Sequence, residues 1–386
     1  MIPAVSPDRP ARRSVAVFLN HSLDVEAWRA RHEDGTTLDA TPYGYALAEE
    51  WFDVRWARSH PESAVTRRLR IALAGRLGFD LVHAVRNRRM LFAADVVWTH
   101  TESEHLAVAL LQRLVPRYRR TRLLAQTIWM WDRWSGFGRP RRALYAWLLR
   151  RETVEATHSP LNLETSRRLV PGRRVVLVPF GTQPLHVTEA PSASDDEDWD
   201  VVAPGNDEHR DWATLAETAA LRPGLRFWVA SSSRRARELD WPANVRVERV
   251  ADADAYTRLM ARAAVCVVPL KPNLHASGMT TCMEASSVGT PLVIGGDGGL
   301  AAIIGPGPRY VPAADATALA DAIDLVVADR ASGRSPAVPD LAGRGLTQRD
   351  YVTRYALLTD MACGDRPWSD RASELAPQQR DAPPQE

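Results

Sequence analysis

Lysine is nearly absent from this chain. Of its 49 basic residues only Lys271 is a lysine, and the rest are arginine. Such a bias is expected of a GC-rich coding sequence and excludes nothing about function by itself. Cysteine is scarce as well. Cys266, Cys282 and Cys363 are odd in number and lack metal-ligand spacing, which argues against a disulfide framework and fits a reduced, cytoplasmic chain. No apolar run approaches the roughly 18 residues that a membrane span requires. The segment from Met1 to Arg13 has no apolar centre, so it does not read as a secretory signal. Net charge is small at +2, and whole-chain charge therefore points to no nucleic-acid partner.

What is present is the material of a folded, two-domain protein. The chain has 386 residues, 45% hydrophobic and 25% charged, enough for sizeable cores. Charge is split along its length. Residues 1–190 hold 29 arginines against 19 acids, while residues 191–386 hold 20 bases against 28 acids. A basic first unit and an acidic second one imply different partners. The small, polar, acidic run Pro191 to Asp198 reads as a linker, and residues 365–386 as a disordered tail. These features divide the chain into 1–188, a linker at 189–198, 199–364, and the tail.

In both units strand-like runs alternate with helical ones. In the first, Ser14–Leu19, Asp95–His100, Arg122–Ile128 and Arg174–Pro179 read as strands, and Thr41–Phe52 and the stretch through Leu111 as helices. In the second, strands are expected at Trp199–Ala203, Leu225–Ala230, Val245–Val247, Val265–Val268 and Pro291–Ile294. Helices are expected at Asp211–Leu221, Tyr256–Ala263, Gly278–Val288 and Ala316–Val327, with Asp211 and Asp254 as caps. The alternation predicts an α/β protein of two doubly wound, Rossmann-like units facing a central cleft. Ligands of such sheets sit at the carboxyl ends of the strands, so the cleft is the expected site.

The segment Val268 to Ile304 carries the chemistry. A strand ends at Leu270, a polar loop follows, and Ser277-Gly278 opens a helix that Gly289 and Pro291 stop. The free amides at that helix start, with the macrodipole behind them, suit an anion. Gly278 lets a phosphate approach the backbone of Met279, and Thr280 and Thr281 add hydroxyls. Glu284 follows about one turn, ~5.4 Å, later on the same face. Phosphate would repel it there, but ribose hydroxyls would donate to it. The pattern describes a nucleoside-diphosphate site. Read from spacing alone, a capped helix with an exposed glutamate remains equally open.

The second unit resembles the nucleotide-sugar domain of GT-B glycosyltransferases, especially the retaining family 4. Gly289-Thr-Pro-Leu-Val-Ile-Gly-Gly-Asp-Gly-Gly-Leu-Ala-Ala-Ile-Ile304 and Tyr310 to Leu319 are similar to that family's runs after its ribose-binding glutamate. Gly205 to Leu215 resembles the loop whose basic residue, here Arg210, holds the donor diphosphate. Asn244 to Cys266 resembles the segment whose backbone, near Arg249 and Val250, contacts the base. The likeness covers roughly residues 200–325. It implies a hexosyltransferase acting from a UDP- or GDP-linked sugar on a sugar-containing or lipid-linked acceptor in natural-product or envelope glycan assembly. It also implies no metal, because helix amides and arginine neutralise the leaving group.

Two positions depart from the family pattern. Ala276 stands where the retaining enzymes carry a sugar-contacting glutamate, and Trp129 where they often have a histidine. His100 and Asp132 are therefore the catalytic candidates in the first unit, with Lys271 and His275 as further donor contacts. Trp129, Trp131 and Trp134 are equally suited to stacking on sugars and to core packing. Asp252-Ala-Asp254 and Asp196-Glu-Asp198 spell a metal-binding motif of a different transferase fold; capping and the linker explain them better. The basic stretch 138–151, with Leu144, Tyr145, Trp147 and Leu148 at helical spacing, fits either a core-packed helix or weak contact with an anionic membrane. The rival readings are an epimerase on the same fold and a non-catalytic partner subunit.

Overall fold

The computed structural model describes residues 12–187, 199–250, 252–334 and 336–369. The acidic run 191–198, including Asp196-Glu-Asp198, and the tail from residue 370 lie outside the described residues. Among the described residues twelve strands form two six-stranded sheets. The first contains β1 (Ser14–Phe18), β2 (Asp53–Trp56), β3 (Val96–Thr99), β4 (Arg122–Thr127), β5 (Val154–Thr157) and β6 (Val175–Leu177). The second contains β7 (Val201–Val202), β8 (Phe227–Ala230), β9 (Val245–Glu248), β10 (Val265–Pro269), β11 (Leu292–Gly295) and β12 (Arg309–Val311). Strand orders are β2-β1-β3-β4-β5-β6 and β12-β11-β10-β7-β8-β9, and every pairing is parallel.

Parallel strands are covered on both faces, which is why they read as near-continuous apolar runs. Alternation divides each sheet between two cores. Ala16, Phe18 and Val97 pack on one face of the first sheet, and Val15, Val17 and Trp98 on the other. In the second sheet Cys266 and Val268 face one core and Val265 and Val267 the other. Cys282 joins the first of these, so both cysteines serve as small buried apolar residues.

The topology also fixes where loops converge. In the second sheet the chain runs outward from β7 to β9, then returns to β10 on the opposite side of β7. The loops after β7 and β10 therefore part at the switch point and frame a crevice. A backbone bridge between Arg210 and Leu270 ties the two loops together.

Several local expectations need correction. Thr41–Phe52 is not a continuous α-helix. It forms 3-10 turns over Pro42–Glu50, broken where Tyr43 and Gly44 adopt positive φ of 59° and 68°. The helix expected at Tyr256–Ala263 spans Ala253–Arg262, and its cap is Asp252, which accepts from the Ala255 amide, with Asp254 in the first turn. The helix Gln348–Cys363 crosses back to the first sheet. There Tyr351, Val352, Tyr355 and Leu358 are buried beside Val15, Tyr45 and Trp98. The span 199–364 thus ends in a helix packed on the first unit. In the stretch 138–151, Tyr145, Leu148 and Leu149 of the Arg139–Leu149 helix are buried in the core, while Trp147 is exposed beneath the Arg113 guanidinium.

Candidate active site

Two adjoining cavities lie in the cleft, and both reach the start of the Met279–Ser287 helix. The loop after β7 supplies Gly205 and Asn206 to each, and the helix supplies Thr280 and Thr281. The first, about 470 Å³, is otherwise lined by Arg249, Val250, Tyr256 and Glu284, with Leu38 and Asp39 opposite. The second, about 320 Å³, reaches into the first unit.

Arg210 is the electrostatic centre of the cleft. It is only 3% exposed, yet no carboxylate among the described residues pairs with it. Its Nε donates to the Pro204 carbonyl at 3.2 Å, and its terminal nitrogens donate to Ser277 Oγ at 3.3 Å and Thr281 Oγ1 at 3.0 Å. Burial lowers its pKa from the usual guanidinium value, which means its charge is held against a desolvation cost. A buried cation in no direct ion pair among the described residues, beside a cavity and a helix start, is a place for an anion.

Two glycines make room for that guanidinium. A Cβ on Gly278 would lie 2.6 Å from Arg210 Nη1 and 2.5 Å from Val268 Cγ1, and one on Gly205 would lie 2.3 Å from Arg210 Nε. Gly278 also has φ 86°, where other residues are strained. Ala276, two residues earlier, adopts φ 56° without that freedom. Such strain, of order 1–3 kcal/mol, tends to collect at ligand sites.

Glu284 lines the larger cavity one turn on. Tyr256 donates its hydroxyl to Oε2 at 2.7 Å. Burial pushes the Glu284 carboxyl up to about 7, against the opposing pull of Tyr256 and Arg210. The carboxyl thus faces the cavity with one oxygen held and ionises near neutral pH.

The first unit contributes to the smaller cavity from the carboxyl ends of four neighbouring strands. His100 follows β3, Ile128 and Trp129 follow β4, His158 follows β5 and Phe180 lies beyond β6. Tyr43, at positive φ, stacks on His100 with centroids 3.4 Å apart. Tyr45 lies 3.1 Å from His100 Nδ1 and 2.7 Å from the Tyr351 hydroxyl. Burial drives the His100 pKa well down, so its ring is neutral. His158 donates from Nδ1 to the Val178 carbonyl at 2.9 Å, and burial lowers it to about 4.

Between the two units runs a chain of charged groups. Asp132 of the first accepts from the Leu274 amide at 2.6 Å and from His275 Nδ1 at 2.9 Å. His275 Nε2 lies 3.3 Å from Asp207, whose other oxygen accepts from Ser277 Oγ at 2.9 Å. Burial opposes the charge on His275, but the two carboxylates win and raise it to about 9. Asp207 is held well below the usual carboxylate range by His275, the His209 amide and Ser277, which together outweigh its burial.

The expected site residues separate accordingly. Gly205, Arg210, Arg249, Val250, His275, Ser277, Gly278, Met279, Thr280, Thr281 and Glu284 all line one or both cavities, as does His100. Lys271 is exposed and lines neither; the loop carries its side chain outward, with its amide donating to the His209 carbonyl. Asp132 also lines neither, because both its oxygens are engaged by the 274–275 loop. Its geometry is that of a positioning residue for His275, not of a group that meets a reacting atom. Of the tryptophans, Trp131 and Trp134 are core residues and Trp129 lines the smaller cavity. Sequence reasoning missed Tyr43, His158, Phe180, Asp207 and Tyr256. His158, Phe180 and Asp207 were accessible through the rule that strand ends frame the cleft, whereas Tyr43 lies in the 3-10 turns before β2. Asp207, His209 and His275 also bring ligand atoms within 4.8 Å of one another, though His275 is already shared between two carboxylates.

Comparison with known proteins agrees with this geometry. Residues 206–329 match the family described as glycosyl transferases group 1. The whole fold resembles sucrose-phosphate synthase from Thermosynechococcus elongatus, with TM-score 0.65 and 17% identity over 92% of this chain and 100% of that one. It also resembles a UDP-forming trehalose-phosphate synthase from Burkholderia xenovorans, with TM-score 0.61 and 11% identity over 92% and 100%. Anabaena HepE, solved in complex with UDP-glucose, gives TM-score 0.59 and 14% identity over 89% and 98%. No curated protein matches the chain. The fold is shared with these GT-B glycosyltransferases, and residues 206–329 match the group 1 glycosyltransferase family. The matched stretch lies wholly in the second unit.

Proposed function

We propose that this glycosyltransferase moves a hexose from a UDP- or GDP-linked donor to a hydroxyl of a sugar-containing acceptor, with retention and without a metal. The observation that carries the proposal is the buried, unpaired Arg210 at the start of the helix that also presents Glu284. In this reading the diphosphate lies on the amides of Gly278 to Thr281 and on Arg210. The ribose donates to Glu284, and the base lies beside Arg249 and Val250. The donor sugar points into the smaller cavity, where Tyr43, Trp129 and Phe180 offer ring faces to an acceptor and His100 a neutral imidazole. As the bond from the sugar carbon to the diphosphate breaks, negative charge grows where the helix start and arginine are already directed. The acceptor oxygen bonds to that carbon, and its proton leaves on the released diphosphate. The matched family and the UDP-glucose complex of HepE support a nucleotide-sugar donor.

A nucleotide-sugar panel tested by thermal stabilisation, followed by turnover with an acceptor library, examines the proposal. Ligand at a hundredfold its Kd should add about 2.7 kcal/mol of stability. Stabilisation by a sugar nucleotide with acceptor-dependent release of the nucleoside diphosphate is the expected result. Release of an isomerised sugar without acceptor indicates an epimerase. Binding without turnover on any acceptor indicates a non-catalytic subunit.

A further inference from the structure

Both units line the larger cavity, and the first contributes Trp28 and the segment Thr36 to Asp39. The chain reaches that wall by turning at the end of the Val25–Glu33 helix, and Asp39 comes to lie across the cavity from Glu284. Three contacts fix the segment. Leu38, a residue of the first unit, packs against the core of the second that contains Met279, Cys282 and Met283. The Asp39 carbonyl accepts from Trp28 Nε1 at 2.8 Å. Its side-chain Oδ1 accepts from Gln348 Nε2 at 2.9 Å, at the start of the Gln348–Cys363 helix.

The cavity thus holds two carboxylates, one from each unit. Neither is in a direct ion pair among the described residues. Each has one oxygen engaged by a neutral donor, Tyr256 on Glu284 and Gln348 on Asp39. The two groups also repel, since the charge on Asp39 is among the causes that raise the Glu284 carboxyl. Carboxylates gathered in one cavity without a cation are stabilised by a ligand that brings hydrogen-bond donors and no negative charge of its own. Phosphate does not meet that need and belongs with Arg210. A sugar ring with neighbouring hydroxyls does, because each hydroxyl donates once.

We infer that Asp39 is a second ribose contact, accepting from one hydroxyl of the nucleotide's ribose while Glu284 accepts from the other. The inference rests on the donor reading above and adds a contact from the first unit to a nucleotide otherwise held by the second. Its pairing with Glu284 assigns Asp39 to the ribose and not to the base, which in that reading lies beside Arg249 and Val250. The nucleotide then spans the two units, and Gln348 acts as the positioning residue that aims the Asp39 carboxylate.

Calorimetry in the presence of EDTA tests the inference. The ligands are UDP or GDP, whichever the full chain binds, its 2′-deoxy and 3′-deoxy forms, and inorganic pyrophosphate. The proteins are the full chain, Asp39→Ala, Asp39→Asn and Glu284→Ala, each checked by melting temperature. Asp39→Ala should bind the nucleotide about tenfold more weakly, the loss of one charge-assisted bond, and should bind pyrophosphate as the full chain does. One deoxy form, the one lacking the hydroxyl that Asp39 accepts, should bind the full chain and Asp39→Ala alike. Should the alanine variant melt early, Asp39→Asn keeps the shape of the side chain and the same comparison is made with it. Unchanged nucleotide affinity in Asp39→Ala, with a loss in Glu284→Ala, overturns the inference and leaves the donor reading standing. No loss in either variant overturns both. An equal loss for the nucleotide and both deoxy forms overturns the ribose assignment, as does nucleotide binding that needs added magnesium and loses that need in Asp39→Ala.

Discussion

Removing the Glu284 carboxylate tests the centre of the proposed donor site. In the structure one carboxylate oxygen receives the Tyr256 hydroxyl, and the group borders the cavity that also holds Thr280, Arg249 and Val250. A bound ribose would give the carboxylate one or two hydroxyl donors. Charge-assisted bonds of that kind contribute about 1–3 kcal/mol, so Glu284→Ala should weaken UDP or GDP binding roughly 5- to 150-fold. Inorganic pyrophosphate has no ribose, and its affinity should change much less. The pH dependence adds a second signature. Burial raises the Glu284 carboxyl to about 7, so in the free protein it is partly protonated at neutral pH. A proton on the carboxyl reduces its capacity to accept, so nucleotide affinity should rise as pH increases through about 7 and then level off. The alanine variant should lose that rise. Isothermal calorimetry of both proteins across this range, with UDP, GDP and pyrophosphate, measures all of it. Equal nucleotide affinity in the two proteins would refute the assignment of Glu284.

Four further outcomes follow from the same geometry. Tyr256→Phe removes the bond that favours the ionised carboxylate, so the pH midpoint of nucleotide binding should move upward; an unmoved midpoint in calorimetry contradicts the cause given for the shift. Gly278→Ala places a Cβ against Val268 and Arg210 at positive φ, and it should cost about 1–3 kcal/mol in denaturant unfolding and lower diphosphate affinity together. His275 is raised to about 9, so its stabilisation is complete below its unfolded value near 6.5 and is lost as pH rises through about 9. Melting temperature should fall over that window, and His275→Asn should flatten the fall. EDTA should leave turnover unchanged; activity lost with EDTA and restored by manganese would redirect attention to Asp207, His209 and His275.

The parts of the fold legible in the sequence were those whose residue types agree with their position. β10 and β11 are buried on both faces and read as apolar runs, and the helix between them is bracketed by Gly278 and Gly289. β5 was hidden because Glu155 stands in the middle of it. That carboxylate is buried but meets Arg173, Ser166 and Trp131, partners that only the tertiary structure brings together. β2 is an edge strand with alternating exposure and too short to show a period. The Gln348–Cys363 helix carries its own signature, Thr347 and Asp350 in a capping box, yet its place on the first sheet is long-range packing with no local trace.

The candidate site divides along the same line. Its anion-facing half was readable because helix starts, glycine and a carboxylate one turn on are local relations along one segment. Its acceptor-facing half is assembled from strand ends far apart in sequence, and composition alone ranked its members poorly. Asp132 shows the difference most clearly. Its position after β4 suggested a catalytic acid or base, and it does lie at the junction of the two units. The structure spends both its oxygens on the loop that carries His275. That arrangement couples the units at the place where the proposed donor sugar would lie, because His275, Asp207 and Ser277 line the smaller cavity and are joined in one hydrogen-bonded chain to Asp132. The Leu274–Asp132 bond, the Trp129–Asp207 contact and the Arg133–Glu208 ion pair join the units at the same junction, so the Asp132–His275 pair is one member of a charged seam and not an isolated catalytic acid.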